Sequence, residues 1–289
     1  MVNSDLKNQY MIENLSYKQT ITIISQYETE GHSPLKVVAD DFKTYVLKFP
    51  KNLSDKNSIV KEFLCHYLLR CWSIPTPPIA GLSIPHDLLI NNPIISRREK
   101  GLIGDNVCFG SQLIVDAIEL NDFIEAKNRT SQKKVLNIED IFKIALFDIW
   151  IENEDRRPTN NNILLCPDKK GLILNAIDHA FTFSTLNFNE LNYKTLNFSV
   201  NDSILYSGLA KSIIESTKLN KEFYIKSEEI FYLCIENVSN SFTRIIENLP
   251  ESLEFTNEDR TILSDFLFNK ERNVLVFQEF CYILNSILK

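Results

Sequence analysis

The feature that most restricts how this chain can fold is a change, part-way along, in the period of its apolar residues. Up to about residue 115 the pattern is mainly strand-like: Thr20 to Ser25 alternates, Leu35 to Ala39 is mostly apolar, and Thr44 to Phe49 is rich in β-forming residues. One helix interrupts these strands. Val60, Leu64, Tyr67 and Cys71 recur at helical spacing after Ser54 and Asp55, until Pro75, Pro77 and Pro78 stop the run. Such a helix belongs against the sheet. From Asn137 the period switches: Ile138, Ile141, Phe142, Ala145, Leu146 and Ile149 form a wide apolar stripe, with Asn137 as its cap and Glu139 and Asp140 in its first turn. Beyond about Asp202 the spacing stays helical, as in Ile230, Leu233, Cys234 and Val238, then Phe242, Ile245, Ile246 and Leu249. A chain so divided predicts an α+β, two-lobed architecture: a β-rich N-terminal lobe over residues 1–116 and a mostly helical C-terminal lobe over 117–289. Its 289 residues suffice to give both a core.

Composition removes several classes of function. No segment approaches the roughly 18 uninterrupted apolar residues that a membrane span needs, and Met1 to Tyr10 lacks the zones of a secretory signal. The expectation is a soluble, cytoplasmic protein with no membrane partner. The six cysteines are scattered, without a C-x-x-C pair and with only four histidines in the chain, which argues against zinc and for buried free thiols in a reducing compartment. A net charge of −7 argues against nucleic acid as a partner, since that needs clustered lysine and arginine.

The most informative stretch runs from Phe147 to Leu164. Here a polar loop, Glu152 to Asn161, lies between the apolar helix and a predicted hairpin, Ile163 to Cys166 and Leu172 to Leu174 about a Pro167–Gly171 turn. Asp155 is followed five residues later by Asn160, and the hairpin returns Ala176-Ile177-Asp178-His179 to the same side. In phosphoryl transfer an aspartate at the first position takes the acceptor's hydroxyl proton, while an asparagine at the second and an aspartate after the hairpin ligate magnesium. Alone, an Asp-x4-Asn match is ordinary turn chemistry. The preceding helix, the strand pair and the Ile-Asp-His ending together turn it into a candidate catalytic set: Asp155, Asn160 and Asp178.

Upstream, Tyr45-Val46-Leu47-Lys48-Phe49 places one lysine in an apolar strand, which is costly unless its charge meets an anion such as a nucleotide phosphate. The alternative is a lysine that snorkels to water. Glu62, in the one clear helix of the N-terminal half, either holds Lys48 or is a solvated helix glutamate.

Taken together, Asn153-x-Asp155-Arg156, Asn160-x-Asn162, Ile177-Asp178-His179, Tyr45-Val46-Leu47-Lys48 and the Glu62 helix ending in Ile74-Pro75-Thr76-Pro77-Pro78 resemble the HipA-like kinases. The likeness covers residues from about 27 to the end of the hairpin, and more loosely the helical tail. It implies a two-lobed protein-kinase-like fold, ATP and Mg2+ as cofactors, and phosphorylation of serine or threonine in a protein substrate, as in bacterial toxin–antitoxin systems, where a small antitoxin-like protein is the partner. The phosphate-covering turn is then Thr29-Glu30-Gly31-His32-Ser33-Pro34, with Gly31 and Ser33 at the nucleotide. Ser33 is either an autophosphorylation site or simply a turn-former. The other readings are a small-molecule or lipid-headgroup phosphotransferase, which shares the same acids, and a non-catalytic pseudokinase that binds a partner. For Arg156 the sequence offers Asp178, phosphate or a backbone carbonyl as acceptors, for His179 a bond that orients Asp178 or a structural place, and for Trp150 the core. Gly101, Gly104 and Gly110 mark a loop from Glu99 to Ser111.

Overall fold

The computed structural model describes residues 12–27, 33–52, 55–120 and 134–288. Five strands, β1 (Tyr17–Gln26), β2 (Leu35–Ala39), β3 (Thr44–Lys48), β4 (Ile79–Ser83) and β5 (Cys108–Gln112), form a closed barrel in the order β1-β2-β3-β5-β4. Every pairing is antiparallel except β1 with β4, which is parallel and closes the ring. Alternation does the sorting: Leu35, Val37 and Ala39 on β2 and Tyr45 and Leu47 on β3 point into a barrel core completed by Ala80, Leu82 and Cys108. Two glycines permit the close strand contacts. A Cβ on Gly110 would meet the Leu82 side chain at 2.5 Å, and one on Gly81 would meet the Tyr17 ring at 2.9 Å.

The stretch from Glu99 to Ser111 is not a loop. It contains the end of a short helix, α3 (Arg97–Ile103), which follows α2 (His86–Asn91), and most of β5. Ser96 and Glu99 form a reciprocal capping box, and Gly104 ends the helix at φ 42.

Helix α1 (Lys56–Cys71) packs against the sheet, on the barrel's β5, as its stripe predicts, and it is buried almost all round because it also packs on a long helix of the tail, α6 (Lys221–Glu247). A helix buried on most sides, with Lys61 and Glu62 among its buried residues, is an interior strut. It ends where Ser73 turns left-handed (φ 51), just before Pro75.

The apolar stripe after residue 137 forms α4 (Asp140–Trp150). Asn137 does not cap it. Its side chain instead accepts from Leu174 N–H at 2.8 Å and donates to Leu174 O at 3.2 Å, tying the helix start to the hairpin. That hairpin, β7 (Ile163–Pro167) and β8 (Leu172–Ala176), extends by one short strand, β6 (Ile118–Glu119), into a three-stranded sheet. The tail helices α5 (Gly208–Ser216), α6, α7 (Asn257–Phe268) and α8 (Lys270–Ile287) each begin on a side-chain cap: Ser207, Asn220, Thr256 and Asn269. In α6 the buried stripe is Phe231, Cys234, Ile235, Val238, Phe242 and Ile245, whereas Ile230 and Leu233 face outward. One core joins α1, α4, the hairpin and these helices, with Trp72, Phe147, Trp150 and Phe231 at its centre. All six cysteines are free, five of them buried. Among the described residues, no helix is long and apolar enough to cross a membrane.

Candidate active site

A cleft of about 340 Å³ is lined by strand residues of the barrel (Val46, Lys48, Ile79), by Glu62 and His66 of α1, and by Leu164, Ile177, Asp178 and His179 around the hairpin. At its inner end Lys48 Nζ lies 2.5 Å from Glu62 Oε1 and 2.8 Å from Asp178 Oδ1. The lysine that the sequence left between an anion and water thus meets two acids. Glu62 also accepts from His179 N–H at 3.2 Å through its other oxygen, so α1 is fastened to the hairpin exit as well as to β3. Asp178 itself adopts a left-handed conformation (φ 58), a turn that aims its carboxylate at Lys48.

The electrostatics separate the two acids. Burial pushes the Glu62 carboxyl up despite Lys48 beside it. For Asp178, burial also acts upward, but the Lys48 charge and hydrogen bond overcome it and hold the carboxyl below the usual aspartate range. Lys48 in turn is raised: desolvation opposes its charge, and Asp178 and Glu62 outweigh desolvation. It is a firm cation.

Asp155 sits in the loop that follows α4, held by amides on both sides. Asn160 Nδ2 donates to its Oδ1 at 3.0 Å, Asn162 Nδ2 to its Oδ2 at 3.1 Å, and Asn153 Oδ1 accepts its backbone N–H at 3.2 Å. Burial first, and then the nearby Asp178 charge, raise its carboxyl above the ordinary value although both amides act the other way. That is the direction expected of a proton acceptor near neutral pH.

Behind the loop lies a brace that the sequence did not reveal. Arg156 is fully buried, with Nε 2.7 Å from Asp148 Oδ2 of α4. Its NH1 donates to Asn161 O at 2.8 Å and Asn162 O at 2.6 Å, and its NH2 meets His179 Nε2 at 2.9 Å. Asp148 also accepts from Asn153 Nδ2 at 2.9 Å. One guanidinium fork therefore fixes the Asp155 loop to the hairpin exit. Of the three acceptors open to Arg156, the structure selects backbone carbonyls, together with Asp148 and His179. Burial, then Arg156, keep the His179 ring well below histidine's ordinary value, so it is neutral and its Nε2 accepts. His179 serves Glu62 and Arg156 and makes no side-chain hydrogen bond to Asp178 among the described residues. The signal for Asp148 was a lone acid inside the run Leu146 to Ile151.

The structure thus brings Lys48, Glu62, Asp155, Asn160 and Asp178 into one region. Gly31 lies outside the described residues. Ser33 is half-buried with its carbonyl accepting from Gln26 Nε2 at 3.1 Å, and it is not among the residues lining the cleft. Trp150 is in the core, its Nε1 donating to Leu267 O at 3.1 Å.

A family model described as HipA-like kinase matches residues 20–279. The chain belongs to the HipA-like kinase family. This HipA-like protein is a kinase, with an α+β, kinase-like fold. No curated protein sequence matches it. Among solved structures it is similar to the Helicobacter pylori proinflammatory kinase CtkA, with a TM-score of 0.53 and 13% identity over 93% of this chain and 98% of that one. At that identity the likeness concerns the fold alone. A Golgi casein kinase with Mn/ADP bound aligns over 94% of this chain and 77% of its own, at 12% identity and a TM-score of 0.34, too low to bear on the fold.

Proposed function

We propose that this HipA-like kinase transfers the γ-phosphoryl group of ATP, with magnesium, to serine or threonine of a protein substrate, in a cleft between a β-rich lobe (1–116) and a helical lobe (117–289). The observation that carries this reading is the pair of contacts from Lys48 to Glu62 and Asp178 in a cleft beside Asp155. Free thiols support a cytoplasmic setting, and the family likeness supports a small antitoxin-like partner and self-phosphorylation at Ser33.

The residues present suit magnesium. Asp178 keeps 36% of its side chain exposed and Asn160 is exposed, giving hard oxygen donors that phosphate and water complete. Bound there, the ion would neutralise charge on the transferred phosphoryl group. Lys48, anchored by Glu62, binds phosphate oxygens, and Val46, Ile79, Leu164 and Ile177 give the cleft apolar walls for a base. Asp155 orients the acceptor hydroxyl and takes its proton as the new P–O bond forms and the bond to the ADP oxygen breaks.

The test is incubation of purified protein with labelled ATP and magnesium, followed by intact-mass measurement of the kinase and of serine- and threonine-containing peptides. Gain of one phosphate supports the reading. No gain, with no ATP-induced rise in thermal midpoint, overturns it in favour of a partner-binding module. Lys48→Ala is expected to lower turnover by about tenfold or more, because the phosphates lose a cation in a partly dry cleft; unchanged ATP affinity and turnover would remove Lys48 from the site.

A further inference from the structure

Glu152 opens the loop that carries Asp155, and it is buried in a left-handed conformation (φ 50). Its Oε1 receives Arg272 NH2 at 3.0 Å and Asn197 N–H at 3.1 Å, while its Oε2 receives the Ser184 hydroxyl. The same Arg272 NH2 donates to Trp150 O at 2.8 Å. One carboxylate therefore joins three elements: the Asp155 loop, the segment that follows Asp178, and α8.

The loop and that segment are also zipped along their backbones. Phe183 N–H donates to Ile151 O at 2.7 Å, Ser184 N–H to Glu152 O at 3.2 Å, and Glu154 N–H to Phe181 O at 3.0 Å. Phe183, Ser184 and Thr185 all hold positive φ (57, 50 and 55), a conformation that persists only where surroundings impose it. None of residues 181–197 lines the nucleotide-sized cleft, whose wall stops at His179.

The Arg272 side chain is poorly matched for a purely stabilising role. It is fully buried, Nε and NH1 find no hydrogen-bond acceptor among the described residues, and its guanidinium carbon lies 3.5 Å from the Phe266 ring centroid. Burying such an ion is expensive, and apolar replacements of buried pairs are often as stable or more so. What the pair supplies is geometry. We propose that Glu152 and Arg272 are positioning residues that hold residues 181–197 against the Asp155 loop as the platform for the acceptor, so that α8 governs acceptor use without touching nucleotide. The inference rests on Asp155 acting as the proton acceptor.

Hydrogen–deuterium exchange, ATP titration calorimetry and phosphate incorporation by intact mass, run on Glu152→Gln, Arg272→Lys and Arg272→Met, test it. Glu152→Gln and Arg272→Met are expected to speed exchange at the Ser184 and Asn197 amides and to cut incorporation, each by about tenfold or more. ATP affinity stays within about twofold. Arg272→Lys, which keeps the charge, recovers part of both effects. Unchanged exchange and incorporation overturn the proposal, and so does an equal fall in ATP affinity and incorporation, the mark of general loosening. If the parent protein incorporates no phosphate, the kinase reading fails separately, and the exchange arm still decides whether the tether exists. Should Arg272→Met not fold, Arg272→Lys and Glu152→Gln decide.

Discussion

The cluster around Arg156 and the cluster around Lys48 each centre on one cation that meets acid, yet they differ in how far that charge is closed off. Around Arg156 both charged partners are fully buried, and the guanidinium meets an acid, two carbonyls and a neutral imidazole. Around Lys48 one acid, Asp178, keeps about a third of its side chain in solvent. Charges cancelled on every side hold shape. A charge left partly open can exchange its partner for a ligand.

The contrast is broken most easily at the brace. Arg156→Met leaves Asp148 buried and uncompensated, so unfolding free energy from denaturant titration should fall by about 3–5 kcal/mol. A loss under about 1 kcal/mol would mean that the brace is not structural. The open cluster should respond in chemistry instead. Asp155→Asn is expected to lower transfer by a factor on the order of a hundred or more while ATP binding keeps its response to magnesium. Asp178→Asn should lose that response as well, because a hard cation loses its charged ligand. Calorimetric titration of ATP at several magnesium concentrations, beside a transfer assay, separates them. The opposite pattern would exchange the two roles, and full transfer by either variant would remove the site.

A smaller effect comes from His66, on α1 at the cleft wall, where burial and then Arg70 bring its ring down to about 3. His179 faces it across the site and is itself held neutral. As pH falls through 6.5, the ordinary value, the unfolded chain binds a proton that the folded chain refuses until about 3, so stability declines across that window. His66→Gln should show a shallower decline of thermal midpoint between neutral and acid pH; an identical decline would exclude His66 as a source. The smallest effect belongs to Lys56 and Glu254, 3.0 Å apart but with Glu254 73% exposed. Lys56→Ala should cost no more than about 0.5 kcal/mol in the same denaturant titration. A larger cost would show that exposure alone does not set the value of these pairs.

What the sequence disclosed followed from cost. Lys48 stood out because a charge within an apolar strand demands a partner, and Asp155, Asn160 and Asp178 because a helix, a polar loop and a hairpin ending in Ile-Asp-His bring otherwise ordinary turn residues to one side. Asp148 obeys the same rule but lies inside a helix whose apolar stripe is the stronger signal. Arg272 gave no local sign, since an arginine near the start of a polar-faced helix reads as surface until α8 docks on Trp150 and Glu152. Asn137 resembled a cap because the turn preceding α4 mimics a helix start, and its amide was taken by β8 instead. The glycines of residues 99–111 suggested a loop, whereas Gly110 is required inside a strand by the Leu82 side chain, which leans over it from two residues along the neighbouring strand.

The parallel contact of Tyr17–Gln19 on β1 with Gly81–Ser83 on β4 gives every strand of the barrel a neighbour on both sides over part of its length. Where that ladder runs, an extended polypeptide finds no free backbone to pair with, and edge-to-edge self-association is blocked for the same reason. Among the described residues the open three-stranded sheet β6-β7-β8 has no such closure, so the two sheets of this protein differ in how far their backbones are available to another chain.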